Sequence, residues 1–139
     1  MSNSRRIYIT KVDKERLEKL ISKEREFNPG SREYLKDLSN ELEKAQVVEP
    51  KDIPSDVVTM NSKVELVDLD ADEEMVYTLV YPEDADLSQD KISILAPIGT
   101  AILGYRVGEI VDWKVPNGVV QLKVQAILYQ PEAAGDYEL

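Results

Sequence analysis

The chain contains no cysteine and no histidine. The first absence rules out a disulfide framework and any thiolate metal site. The second removes the commonest general base and the commonest metal ligand. A hydrolase triad of the serine–histidine kind and a zinc enzyme are therefore excluded by inventory. Large aromatics are scarce too, with one Phe, one Trp and seven Tyr, so a core drawn from 42% hydrophobic residues is mostly aliphatic. Nowhere is there a run approaching the roughly 20 apolar residues needed to cross a bilayer. The opening MSNSRRIYIT has two arginines but no apolar run behind them, unlike a secretory signal. A cytoplasmic location and no membrane partner are expected. Basic charge is the last shortage: 17 Lys and Arg stand against 27 Asp and Glu, for a net charge of −10. Nucleic-acid phosphates want a basic surface, so no strong direct nucleic-acid binding is expected. Acidity suits solubility, or a basic protein partner. No glycine-rich loop runs into Lys and Ser or Thr, so phosphoryl transfer has no carrier.

What is present fits one domain, or a small domain plus an appendage, at 139 residues. Thr10 is placed to cap a helix from Asp13 to Glu26, whose Leu17, Leu20 and Ile21 share a face that Phe27 continues. Asn28-Pro29-Gly30-Ser31 breaks it. A second helix runs from Arg32 to Gln46, with Leu35, Leu38, Leu42 and Ala45 spaced three, four and three, as in a coiled-coil seam. Two amphipathic helices joined by so short a turn make an antiparallel helical hairpin, assigned to residues 1–46. Such a pair is marginal alone and leans on the neighbouring domain. Residues 47–55 carry two prolines and no periodicity, which marks a linker. On that division, Leu38→Ala or Leu42→Ala should unfold the hairpin and leave the remainder intact.

Residues 56–139 read as a β-rich domain, giving an α+β fold with a mainly antiparallel sheet. Extended segments are expected at 57–60, 63–69, 75–81, 92–95, 110–115 and 119–129, with a polar tail after Pro131. The acidic clusters at 68–74 and 83–86 lack the glycine and terminal glutamate of a calcium loop, and turn chemistry accounts for them. The centre of the domain is Ile92 to Gly118. A short apolar strand stops at Pro97, one helical turn runs from Ile98 to Leu103, and Gly104 ends it. Ile110 to Val115 returns as a strand carrying the only tryptophan, Trp113, and Pro116-Asn117-Gly118 closes a hairpin.

These residues carry a family pattern. Ile92-Ser93, then Ala96-Pro97-Ile98-Gly99, Ala101, Leu103-Gly104, Val107-Gly108 and Pro116 with Gly118 resemble the carboxy-terminal domain of the GreA/GreB transcript cleavage factors. Three further blocks are similar to one branch of that family: Asp56 to Ser62, Leu79-Val80-Tyr81-Pro82, and Tyr129-Gln130-Pro131-Glu132 onward to Tyr137. So many blocks in one order are specific.

The resemblance implies an FKBP-like carboxy-terminal domain that binds RNA polymerase at the rim of its secondary channel. The matching docking residues are Ser93, Leu95, Ala96, Pro97 and Ile98, with Ala96 standing where many Gre proteins have Ser. In Gre factors a longer hairpin ends in an Asp-x-x-Glu-Asn pattern that helps hold magnesium in the polymerase active centre. Here the tip holds Glu26, Asn28 and Glu33, and that pattern is absent. Glu26 and Glu33 read as solvated charges at helix ends. The expectation is a monomeric, non-enzymatic transcription regulator with no cofactor, which competes with Gre factors without stimulating cleavage. The alternatives are a magnesium-dependent cleavage factor using Glu26 or Glu33, and an FKBP-like prolyl isomerase. One Phe and one Trp make a poor aromatic pocket for the latter.

Overall fold

The structure, a computed structural model, describes residues 7–27, 33–115 and 118–135. The elements run β1 (Tyr8–Ile9), α1 (Lys11–Phe27), α2 (Glu33–Glu43), β2 (Gln46–Val47), β3 (Lys63–Asp68), β4 (Glu73–Val80), β5 (Lys91–Ser93), α3 (Pro97–Ile102), β6 (Ile110–Val115), β7 (Gly118–Tyr129) and α4 (Pro131–Ala134). It is a mixed helix-and-sheet architecture.

α1 begins where the sequence expects. The Asp13 amide donates to the Thr10 hydroxyl at 3.2 Å, satisfying one of the orphan donors at a helix start. Leu17 and Ile21 of α1 are buried, as are Leu35, Leu38 and Leu42 of α2, and the two helices touch. The breaker expected at residues 28–31 lies outside the described residues.

Five strands form one sheet in the order β5-β4-β3-β7-β6. Only the β4–β5 pair within it is parallel. Alternation sets the buried face: Val64 and Leu66 of β3, Leu122 and Val124 of β7, and Val111 of β6 all point inward. β3 is paired along its whole length on both sides, with register shifts against β7 near Val64 and Leu66. The β6–β7 register sets Val115 against Gly118, leaving two residues to connect them.

Ile7-Tyr8-Ile9 is extended, as its residues suggest, but its partner in a small second sheet has no counterpart in the sequence reading. β1 and β2 pair in parallel, Tyr8 with Gln46 and Ile9 with Val47. The Gln46 amide donates to the Ile7 carbonyl at 2.8 Å and the Val48 amide to that of Ile9 at 3.0 Å. Two-residue strands have no periodicity to read. Ile7 in turn lies against Gly104, whose φ of +88° ends the α3 segment; a Cβ there would sit 2.7 Å from Ile7 Cγ1. Glycine is required at 104 on both counts.

The tail also departs from expectation. After Pro131 the chain forms α4 rather than trailing away. The Gln130 side chain accepts from the Ala133 amide at 3.1 Å and donates to the carbonyls of Pro54 and Val57 at 2.8 and 2.7 Å. Gln130 and Pro131 are buried. Gln130 therefore ties residues 54–57 to the end of β7. Ile53 is buried as well.

The core is a single cluster. Leu17, Ile21, Leu38 and Leu42 of the helices belong to it together with Val64, Leu66, Leu122 and Val124 of the sheet and Ile94, Ile102 and Leu103 around α3. Independent melting of the helices, expected from the linker-like composition, does not suit this packing. Instead, Leu42→Ala should cost about 2–5 kcal/mol of global stability by opening a cavity under both parts. Helical circular dichroism and Trp113 fluorescence should then give coincident denaturation curves, in the parent and in the variant alike. Loss of helical signal ahead of the Trp113 transition would show two units.

Candidate functional site

The turn from β5 into α3 gathers the residues that sequence reasoning nominated. Ser93 ends β5, and its hydroxyl accepts from the Leu95 amide at 3.0 Å while its carbonyl accepts from the Ala96 amide at 3.0 Å. Ser93 thus braces the turn from within. Ala96 is the N-cap of α3, extended at φ −75° and ψ 147°, and offers no side-chain cap. Proline at the first helical position needs no partner for an amide it lacks, which suits it to start α3. Leu95 and Ile98 are each half-buried, with one side packed on the core. Ser93 and Ala96 are half-buried too. The Pro97 side chain lies outside the described residues.

Two groups lock this turn. A Cβ on Gly99 would lie 2.3 Å from the Ser93 carbonyl oxygen, so only glycine lets α3 sit this close to the β5 backbone. The Thr100 hydroxyl donates to the Ile94 carbonyl at 2.5 Å, both residues being buried. The result is a rigid shelf presenting the outer sides of Leu95, Ala96 and Ile98.

The hairpin-tip residues are not placed in the same way. Asn28 lies outside the described residues, and the side chains of Glu26 and Glu33 do as well. Among the described residues no three acidic or other ligating side chains are arranged to hold a metal ion.

A second constellation was not read from the sequence as a site. The Tyr81 hydroxyl, at the end of β4, donates to Asp13 Oδ1 at 2.7 Å across a buried contact. Thr10 donates to Asp13 Oδ2 at 3.3 Å. The Arg16 guanidinium lies over the Tyr81 ring, 3.7 Å from its centroid, and pairs with Glu83. Nearby, the Thr59 hydroxyl donates to Glu132 Oε1 at 2.8 Å and is itself joined to the Ser62 hydroxyl at 2.9 Å. Thr59, Ser62, Tyr81 and Glu132 all sit in the blocks that carried the family resemblance. That coincidence was the available signal, but each contact to Asp13 or Glu132 from these blocks joins residues far apart in sequence and has no local signature.

Burial dominates the electrostatics here. It pushes the Asp13 carboxyl above its ordinary 3.8, outweighing the hydrogen bonds from Tyr81 and Thr10 and the charge of Arg16. Burial, and then the Asp13 charge, push the Tyr81 phenol up, so it remains a donor. Glu132 is also raised, first by burial, with its hydrogen bond from Thr59 opposing and the Asp13 charge adding. A carboxyl with a raised folded pKa stabilises fully only below its unfolded value, and that contribution is lost as pH rises through the folded one. Asp13→Asn keeps an acceptor for Tyr81 but carries no charge. Its stability relative to the parent should therefore improve as pH is raised from about 4, the ordinary carboxylate value, in urea midpoints measured across pH. A difference that stays flat or falls would contradict the raised carboxyl.

Comparison with known proteins places these features. Residues 50–129 match the family model described as transcription elongation factor, GreA/GreB, C-term. Residues 5–48 match a second model, Rnk N-terminus. The chain is 48% identical over 103 residues to a regulator of nucleoside diphosphate kinase from Escherichia coli (strain K12), covering 73% of this chain and 76% of that one. It is 43% identical over 90 residues to the transcription elongation factor GreA of Acetivibrio thermocellus, covering 65% of this chain and 57% of the relative. A solved structure of a prokaryotic transcription elongation factor GreA/GreB from Nitrosomonas europaea superposes with a TM-score of 0.74 at 42% identity, over 89% of this chain and 98% of that one. The shelf between β5 and α3 falls inside the GreA/GreB match and the α1–α2 pair inside the Rnk match, so the chain belongs to the GreA/GreB transcription elongation factor family, in the branch of the regulator of nucleoside diphosphate kinase.

Proposed function

We propose that the protein is a non-enzymatic, cytoplasmic transcription regulator that docks on RNA polymerase at the rim of the secondary channel. The docking surface is the Ser93–Ile98 shelf. α1 and α2 act as a short antiparallel hairpin, a coiled coil within residues 1–46, held at the channel mouth. Residues 47–55 join it to an FKBP-like domain at 56–139. A monomer suffices. It occupies the place of Gre factors and does not stimulate transcript cleavage.

The observation carrying this reading is the GreA/GreB match over residues 50–129 in a chain whose helix-joining segment, Glu26 to Glu33, has no Asp-x-x-Glu-Asn pattern. Two oxygen donors at the tip are what magnesium would require. The rigid shelf supports the docking half, since half-buried apolar side chains on a locked turn lose little entropy when covered.

The test is binding to core polymerase with a Gre factor as competitor, beside cleavage in stalled complexes. Binding with displacement and no cleavage is expected; no binding at micromolar concentration ends the proposal. Cleavage abolished by Glu26→Ala with Glu33→Ala would establish the magnesium-dependent factor instead. Ala96→Asp, which puts a carboxylate on the shelf that a docked partner would have to desolvate, should weaken polymerase binding by about 1–3 kcal/mol, roughly 5- to 150-fold in Kd, while its melting temperature stays near that of the parent because aspartate is tolerated at a helix N-cap. A folded Ala96→Asp protein that binds and displaces normally removes the shelf from the interface.

A further inference from the structure

Apolar burial holds α1 and α2 in the common core, but it is non-directional. Directional contacts must fix the remaining freedom. Arg106 over the Tyr8 ring is one such contact, just before α1; two more, made by α1 itself, converge on Tyr81.

Tyr81 stands at the end of β4, immediately before Pro82, and is buried. Its hydroxyl donates to Asp13 at 2.7 Å in the first turn of α1. Its ring face is covered by Arg16, three residues on along the same helix, with the guanidinium 3.7 Å from the centroid. Arg16 then pairs with Glu83, two residues beyond Tyr81. A hydrogen bond constrains distance and angle along the ring plane, and the cation over the ring constrains the perpendicular direction. Asp13 is also fixed from its own side by Thr10, the cap of α1. One residue just past the end of β4 therefore grips α1 at two points three residues apart, which constrains both its axial position and its roll.

We propose that Tyr81 is a positioning residue: through Asp13 and Arg16 it sets the direction in which the α1–α2 pair leaves the sheet, and so where that pair lies when the Ser93–Ile98 shelf is docked. The functional half of this inference rests on the polymerase reading above; the structural half does not. Tyr81→Phe removes the hydroxyl and keeps the ring beneath Arg16. Asp13→Ala removes the acceptor, whereas Asp13→Asn retains one.

The absence of cysteine allows clean labelling. Lys19→Cys on the exposed face of α1 and Gln125→Cys on the exposed face of β7 take spin labels in the full-length chain. Distances are measured by pulsed electron paramagnetic resonance, in buffer where circular dichroism shows every variant folded. The parent and Asp13→Asn should give one narrow distribution. Tyr81→Phe and Asp13→Ala should give a broadened or shifted one. Distributions unchanged in both would overturn the proposal, leaving helix direction to the apolar core and the remaining contacts. In the competition assay Tyr81→Phe and Asp13→Ala should lose at least tenfold in displacement of a Gre factor, with polymerase Kd weakened by the same factor because the two proteins bind exclusively, whereas Asp13→Asn should keep both. Broadened distances with undiminished displacement would overturn the functional half. If the parent itself fails to bind polymerase, the docking reading falls and the distance measurement alone decides whether Tyr81 aims the helices.

Discussion

A carboxyl group taken out of water is the constraint on which much of this structure turns. Asp13 sits in the first turn of α1 at 9% exposure, and burial has pushed its pKa upward. An uncompensated buried carboxylate costs several kcal/mol or more. Compensation comes from two directions, Thr10 on its own helix and Tyr81 on the sheet. Removing either the helix or the sheet would leave a polar group stranded. The helices and the sheet are therefore bound by chemistry as well as by the apolar cluster that Leu17, Ile21, Leu38 and Leu42 share with β3 and β7.

The same principle recurs along that side of the molecule. Glu132 in α4 is half-buried and served by Thr59, which is served in turn by Ser62. Gln130 satisfies two backbone carbonyls at 54 and 57. Each of these side chains ties together pieces of chain far apart in sequence: α1 to the residue after β4 through Tyr81, the 54–57 segment to the end of β7 through Gln130, and α4 to the segment before β3 through Thr59. The β5–α3 shelf is fixed locally, by the Ser93 and Thr100 hydroxyls, backbone contacts and a glycine, with its apolar side chains left half-exposed. Long-range polar contacts hold the frame together, and local ones hold the shelf.

Much of this was legible in the residues. Three-and-four spacing located α1 and α2, because a helix that buries one face must repeat its apolar residues. Strict alternation located β7, and Pro97, Gly104 and Gly118 marked boundaries through their backbone restrictions. The β-strand expected to reach Leu95 stops at Ser93, because the Ser93 hydroxyl and carbonyl capture the next amides and turn the chain early. Two things could not be read: elements too short for any period, namely β2 and α4, and contacts across long sequence separations. The Asp13–Tyr81 bond spans 68 residues and the Thr59–Glu132 bond 73. A buried aspartate at a helix start looks in sequence like any other capping-region acid. Only its partner at the end of β4 distinguishes it.

Everything above depends most on Asp13 and Tyr81 acting as one unit that joins helix to sheet. A double-mutant cycle with Asp13→Ala and Tyr81→Phe, read as unfolding free energy in denaturant at neutral pH, measures this directly. The two losses should be non-additive, with a coupling of about 0.5–3 kcal/mol, the double variant being little worse than the costlier single one. Additivity within about 0.5 kcal/mol would mean the two residues contribute independently, and the joint between α1 and the sheet would have to be sought in apolar packing and the remaining contacts.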